Sequence, residues 1–218
     1  GFKKKFFGAF FALVVLSTAL MAFVPGDQWL LLLIFYTLTA IGAAGANIFY
    51  DAFLVDITTE DKMNRVSSRG YGMGYIGSTI PFIMSIALIL SAQKEFLPLS
   101  VTTATQISFL LTAAWWGLFT IPFLKHVKQV HYIEQEPNPI AGSFKRLGKT
   151  FKNISQYRAV VLFLLAYFFY IDGVHTIISM SSAYGHDLGI SATDLLVILF
   201  VTQVVAAPFA FLFGRLAD

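Results

Sequence analysis

The chain has 218 residues, of which 57% are hydrophobic and only 12% are charged, and its mean hydropathy is strongly positive. These proportions exclude an ordinary soluble domain and indicate a chain that lies largely in a membrane. The formal net charge is +3 and there is no cysteine, which excludes disulfides, thiolate metal sites and cysteine nucleophiles.

Six stretches are long and apolar enough to cross a membrane, which takes about 20 residues of helix. Their continuous hydrophobicity, without two-residue alternation, favours helices over barrel strands. The sequence therefore predicts an all-α integral membrane fold. The six predicted spans are residues 6–24, 29–50, 71–92, 107–124, 159–180 and 195–213.

Basic residues indicate the orientation of the spans. If both ends of the chain are cytoplasmic, all of the 15 lysines and arginines except Lys94 lie on the cytoplasmic side. This asymmetry follows the positive-inside rule. It also accounts for the positive net charge without a nucleic-acid partner, because basic residues near a membrane meet anionic lipid.

A glycine-rich stretch opens the third span. Residues 72–77 satisfy G-x-G-x-x-G, but they follow a charged loop and open a spanning helix, whereas a dinucleotide site needs a βαβ unit. We interpret Gly70 and Gly74, extended by Gly77 and Ser78, as a ridge of small residues that lets another helix approach closely. Gly42 and Ala46 give the second span a comparable face.

Charges of both signs crowd the connection between the second and third spans. Asp51 and Asp56 precede Arg65 and Arg69, which are one helical turn apart. One interpretation is a solvated loop whose charges only orient the helices. The other is a cytoplasmic gate, in which these charges pair with groups on another lobe when that side closes.

The long polar stretch 125–158 divides the chain. We predict four spans of a first lobe in residues 1–124, a cytoplasmic linker in 125–158, and the start of a second lobe, with two spans, in 159–218. Pro137 and Pro139 argue against helix in the middle of the linker. After them, apolar residues recur at helical spacing with basic residues between, which predicts an amphipathic helix at the membrane interface.

Both ends of the chain carry parts of one motif. Residues 214–218 read GRLAD, which matches G-x-L-A-D, and residues 1–5 read as the glycine and basic residues that follow it. Together they resemble a loop signature of the major facilitator superfamily. The resemblance implies the third to eighth helices of a twelve-helix fold, with two further spans before Gly1 and four after Asp218. It also adds Gly214 and Asp218 to the predicted gate.

Two internal motifs sharpen this resemblance. Residues 170–174 read YIDGV and residues 65–67 read RVS. Both resemble motifs of the vacuole-effluxer-like branch of that superfamily. Asp51, in place of a neutral polar residue, and Phe2, in place of a basic one, depart from the pattern. The resemblance implies a monomeric secondary transporter of a small polar solute, amino acids first, in a bacterial plasma membrane. Sugars or other metabolites, and a transport-inactive receptor or scaffold, remain as alternatives.

Asp172 stands out on physical grounds. It lies about 20 Å along the fifth span, near the midplane, where a carboxylate costs at least about 2.5 kcal/mol and should face a cavity or a partner. His175 and Thr176 continue the same face. We expect this stripe to couple protons or contact substrate, with a structural hydrogen-bond pair as the alternative.

Gln203 completes the predicted transport site, because Pro208 follows it and a proline-loosened helix with an amide suits a cavity wall. The sequence shows no nucleophile–base pair, no metal-ligand spacing and no cofactor motif. We therefore expect no enzyme, no metal and no cofactor, and we expect a solute, protons and the lipid bilayer as partners.

Overall fold

The computed structural model describes residues 2–131 and 139–216, except for the side chains of 139–141. These residues form helices joined by short connections, and they contain no strand. The helices are α1 (Lys3–Met21), α2 (Trp29–Asp51), α3 (Leu54–Ile57), α4 (Met63–Gln93), α5 (Val101–His126), α6 (Pro139–Ile154), α7 (Arg158–Asp187) and α8 (Ala192–Leu216), with a 3-10 turn at Glu60–Lys62. Six of them, α1, α2, α4, α5, α7 and α8, are long and apolar enough to cross a membrane, so the predicted all-α fold with six spans is confirmed.

Most of the spanning helices extend beyond their apolar cores. Helix α4 begins at Met63, eight residues before the predicted start, so the helix continues through polar residues that precede its apolar run. Helix α5 begins at Val101, where Ser100 Oγ accepts a hydrogen bond of 3.1 Å from the backbone N–H of Thr103. This N-cap satisfies a backbone donor that the helix itself leaves unpaired.

The contacts divide the chain into two units, Gly1–Tyr132 with Leu196–Asp218, and Ile133–Leu195. In the first unit α1 packs on α2 and α5, and α4 packs on α5. The second unit contains α6 and α7. The division into lobes at residues 125–158 stays a prediction.

Close packing of α1 on α2 depends on Gly42. A Cβ atom at Gly42 would lie 2.7 Å from Val14 Cγ2 and 3.1 Å from the Phe10 carbonyl oxygen. Val14 is fully buried, and Ala46, one turn along from Gly42, is 6% exposed. The predicted small-residue face of the second span is therefore confirmed.

The predicted ridge at Gly70 and Gly74 is different in the structure. Nothing lies within 4 Å of a Cβ atom built at Gly74, and only the Tyr50 hydroxyl, at 3.8 Å, lies near one at Gly70. Close approach occurs instead at Gly72, where a Cβ atom would lie 2.6 Å from the Phe211 ring of α8. The expectation for Gly74 was wrong for the described residues, because that face of α4 borders a cavity.

Candidate functional site

A polar stripe lies on the middle of α7. Asp172 is 14 residues beyond Arg158, about 21 Å along a helix of 30 residues. Asp172, His175 and Thr176 are all exposed, and their spacing places them on one face. Among the described residues, no hydrogen bond or ion pair engages the side chain of Asp172 or His175. The helix thus presents an unpaired carboxylate and imidazole at mid-span.

Gln203 lies in the first unit, on the contact between α8 and α4. Its side-chain oxygen accepts a hydrogen bond of 2.8 Å from Ser78 Oγ. Ser78 Oγ also lies 3.0 Å from the Tyr75 carbonyl oxygen. Because a hydroxyl has one hydrogen, the two acceptors compete for it. Gln203 therefore joins two spanning helices of the first unit.

A cavity of about 710 Å3 lies among α1, α2, α4 and α5, with Ser78 on its wall. Asp51, the last residue of α2, also borders it and is exposed there. The wall is mainly aromatic and apolar, with a few polar side chains. Its polar and aromatic residues are Phe7, Phe11, Asn47, Tyr50, Asp51, Ser67, Tyr71, Tyr75, Ser78, Trp116, Phe119, Thr120 and Phe123.

Asp56 has the most complete set of partners among the predicted gate residues. Its side chain is fully buried, and Oδ2 accepts from Lys3 Nζ at 3.0 Å. Oδ1 accepts from the backbone N–H of Val130 at 3.0 Å and of His131 at 2.7 Å. The ring nitrogen Nδ1 of His131 lies 3.1 Å from the same oxygen. Both carboxylate oxygens are thus engaged within the first unit.

The contacts of Asp56 belong to a larger polar cluster that fixes the segment after α5. Lys3 Nζ also donates to the Ala52 carbonyl at 3.0 Å, and the Lys3 backbone N–H donates to Gln129 Oε1 at 3.2 Å. Lys4 Nζ donates to the Val127 carbonyl at 2.8 Å. The start of α1, the α2–α4 connection and residues 127–131 are therefore held together. We call this set of contacts the Asp56 clamp.

Gly214 lies against the α4 residues that precede the third span. It is buried, and a Cβ atom there would collide with Ser68 Oγ. Arg65 and Arg69 are exposed, and their side chains form no ion pair with a described residue. Asp218 lies outside the described residues. The structure thus places Gly214 beside the Arg65–Arg69 turn of α4, while the pairing predicted for the gate stays a prediction.

Sequence reasoning found the charged residues but missed several of their partners. Lys3, Gln129 and His131 were not candidates, although they surround Asp56. Ser68, the contact of Gly214, was also missed, and Ser78 was expected only in a ridge of small residues and not as the partner of Gln203. A serine on an apolar helix gives little signal by itself, so only the helix crossing reveals its role.

The comparisons with known proteins agree with this architecture. The family profile described as "Vacuole effluxer Atg22 like" matches residues 1–218. An uncharacterized MFS-type transporter, YxiO of Bacillus subtilis (strain 168), is 66% identical over 218 residues, which is all of this chain and 51% of that relative. Autophagy-related protein 22-1 of Penicillium rubens is 29% identical over 123 residues, which cover 52% of this chain and 20% of that relative.

The chain thus spans about half the length of the Bacillus relative. No solved structure matches it with statistical significance. The resemblance to the effluxer-like branch is confirmed, and the six spanning helices show an integral, multi-pass membrane protein. Because the family profile covers the sequence from end to end, the chain belongs to the vacuole effluxer Atg22-like family.

Proposed function

We propose that the intact protein is a secondary active transporter that moves a small polar solute, amino acids first, by alternating access. The names of the relatives support transport, since one is called an MFS-type transporter and the family is described by a vacuole effluxer. We also propose a multi-pass location in a bacterial plasma membrane with both ends of this chain cytoplasmic, because the basic residues favour that orientation.

The observation that carries the proposal is the stripe of Asp172, His175 and Thr176 on α7. An intramembrane carboxylate without a partner costs free energy, so it is retained where it faces a wet cavity or serves transport. A carboxylate can hold the ammonium group of an amino acid or exchange a proton, and an imidazole changes its charge near neutral pH. The hydroxyl of Thr176 adds a hydrogen-bonding group on the same face.

Transport and coupling are tested with the intact protein in liposomes. Counterflow of a labelled amino acid tests transport without a gradient, and accumulation driven by an imposed proton gradient tests coupling. We expect Asp172→Asn to abolish accumulation and to leave expression intact, because it keeps the size of the side chain and removes its ionisation. His175→Gln should shift the pH profile of uptake more mildly.

Matched controls lie on the same helix. Asp187 and His186 are exposed at the end of α7, far from its middle. Asp187→Asn and His186→Gln should therefore leave accumulation and its pH profile unchanged. Wild-type accumulation in Asp172→Asn would contradict the coupling role. Counterflow of sugars but not amino acids would change the substrate class, and no counterflow of any solute would favour a receptor or scaffold.

A further inference from the structure

Helix α6 has two chemically distinct faces. At about 100° per residue, Phe144, Leu147 and Phe151 fall within one narrow arc of the helix. Lys145, Lys149 and Lys152 fall on the other side, together with Arg146. The sequence contains no acidic residue from position 139 to position 171. All charged residues of α6 are therefore basic.

The apolar face of α6 has no protein covering it among the described residues. Phe144 is 71% exposed, Leu147 55% and Phe151 76%. A helix of 16 residues is only marginally stable in water by itself. Its stability in the protein therefore requires a surface that accepts these three side chains.

The chain connectivity places α6 next to a membrane surface. Spanning helix α7 begins at Arg158, four residues after α6 ends at Ile154. The connection is a tight turn, in which the backbone N–H of Tyr157 donates to the Ile154 carbonyl at 2.9 Å. So short a turn keeps the end of α6 at the membrane face where α7 enters.

We propose that α6 docks on an anionic lipid surface. Phe144, Leu147 and Phe151 insert among the acyl chains, and Lys145, Lys149 and Lys152 lie at the level of the lipid phosphates. A cationic face without any acidic residue matches anionic headgroups, and an apolar face this narrow matches helices that lie in the plane of the interface. The anionic charge comes from the bilayer, so docking should depend on its lipid composition.

The absence of cysteine from these 218 residues permits a direct test. In the intact protein, with any cysteine outside this region replaced, Leu147→Cys places a polarity-sensitive fluorophore on the apolar face. Asn153→Cys is the matched control on the polar face. The proteins are reconstituted in vesicles of phosphatidylcholine alone or mixed with phosphatidylglycerol. Quenching by brominated lipid reports insertion, and quenching by iodide reports exposure to water.

We expect the fluorophore at position 147 to be quenched by brominated lipid, more strongly with phosphatidylglycerol, and the one at position 153 to be quenched by iodide. Replacing Lys145, Lys149 and Lys152 by glutamine should reduce the increase in this quenching caused by phosphatidylglycerol about tenfold or more, and high salt should do the same.

Equal quenching by brominated lipid in both vesicle types would overturn the anionic-lipid proposal. Iodide quenching at both positions would overturn membrane docking, and lipid-independent protection at position 147 would favour a protein partner. These readouts do not use transport, so they are independent of the proposed function.

Discussion

Lys3 and Asp56 form an ion pair across 53 positions of sequence, with 3.0 Å between Nζ and Oδ2. The aspartate side chain is fully buried and the lysine side chain is 24% exposed. The same carboxylate accepts hydrogen bonds from the backbone N–H groups of Val130 and His131. One carboxylate thus fixes the segment after α5 to the start of α1.

We predict that Asp56→Asn releases the segment after α5. Asparagine has one acceptor oxygen where Asp56 uses two, so its NH2 group must face either the Lys3 ammonium or the backbone N–H groups. Hydrogen bonds to charged groups contribute about 1.5–3 kcal/mol. A local loss of about 2 kcal/mol raises the open population roughly thirtyfold. Tryptic cleavage after Lys128, an exposed residue of this segment, should accelerate accordingly in the intact protein.

Asp61→Asn is the control for this prediction, because Asp61 is exposed in the 3-10 turn Glu60–Lys62 and makes no contact comparable to those of Asp56. Lys3→Met should reproduce the effect of Asp56→Asn, since it leaves the buried carboxylate without its counter-charge. Unchanged cleavage after Lys128 in both clamp variants would show that the segment is held by other contacts.

Much of the fold could be predicted from the sequence, because a long apolar run predicts a spanning helix without any knowledge of tertiary contacts. The polar extension of α4 from Met63 to Tyr71 could not, since Arg65, Ser67 and Arg69 are compatible with both loop and helix. The position of the close helix contact, predicted from glycine spacing, was also wrong. The spacing pointed to Gly74, whereas the helix crossing uses Gly72, and a crossing point depends on the orientation of two helices.

The candidate site could be predicted only in part. Asp172 was identifiable because a carboxylate in an apolar run is costly wherever the helix lies. The environment of Asp56 was not, because Lys3 and His131 are far from it in sequence and follow no periodic pattern. Long-range polar contacts depend on tertiary geometry, which composition and spacing do not encode.

We predict that Gly214→Ala loosens the contact between α8 and α4. Its Cβ atom would collide with Ser68 Oγ, whose hydroxyl already donates to the Asn64 carbonyl at 2.7 Å. Overpacking of this kind costs about 1–3 kcal/mol. The apparent Tm of the intact protein in detergent should fall, and adding Ser68→Gly should restore part of the loss. Additive effects of the two changes in a double-mutant cycle would contradict the close contact.

The hydrogen bond between Ser78 and Gln203 should be measurable as a coupling energy. A cycle with Ser78→Ala and Gln203→Met should give about 0.6 kcal/mol, the typical value for such bonds between membrane helices. Thr79 is the control, because its hydroxyl donates within α4 to the Tyr75 carbonyl at 2.8 Å. Thr79→Val combined with Gln203→Met should show no coupling. Coupling at Thr79 equal to that at Ser78 would indicate a general change in α4 instead.

Gly42 lies where α1 packs closely on α2. We predict that Gly42→Ala destabilises the intact protein by about 1–3 kcal/mol, because there is no room for the added methyl group. The new methyl group would lie 3.1 Å from both the Phe10 carbonyl oxygen and the Val14 backbone nitrogen, and backbone atoms cannot rotate away as a side chain can. Gly117→Ala, in α5, is the control, because nothing lies within 4 Å of a Cβ atom there and alanine favours helix. Thermal unfolding in detergent should therefore show a lower Tm for Gly42→Ala and an equal or higher one for Gly117→Ala. Equal Tm values for the two variants would mean that α1 and α2 separate easily enough to accept the methyl group.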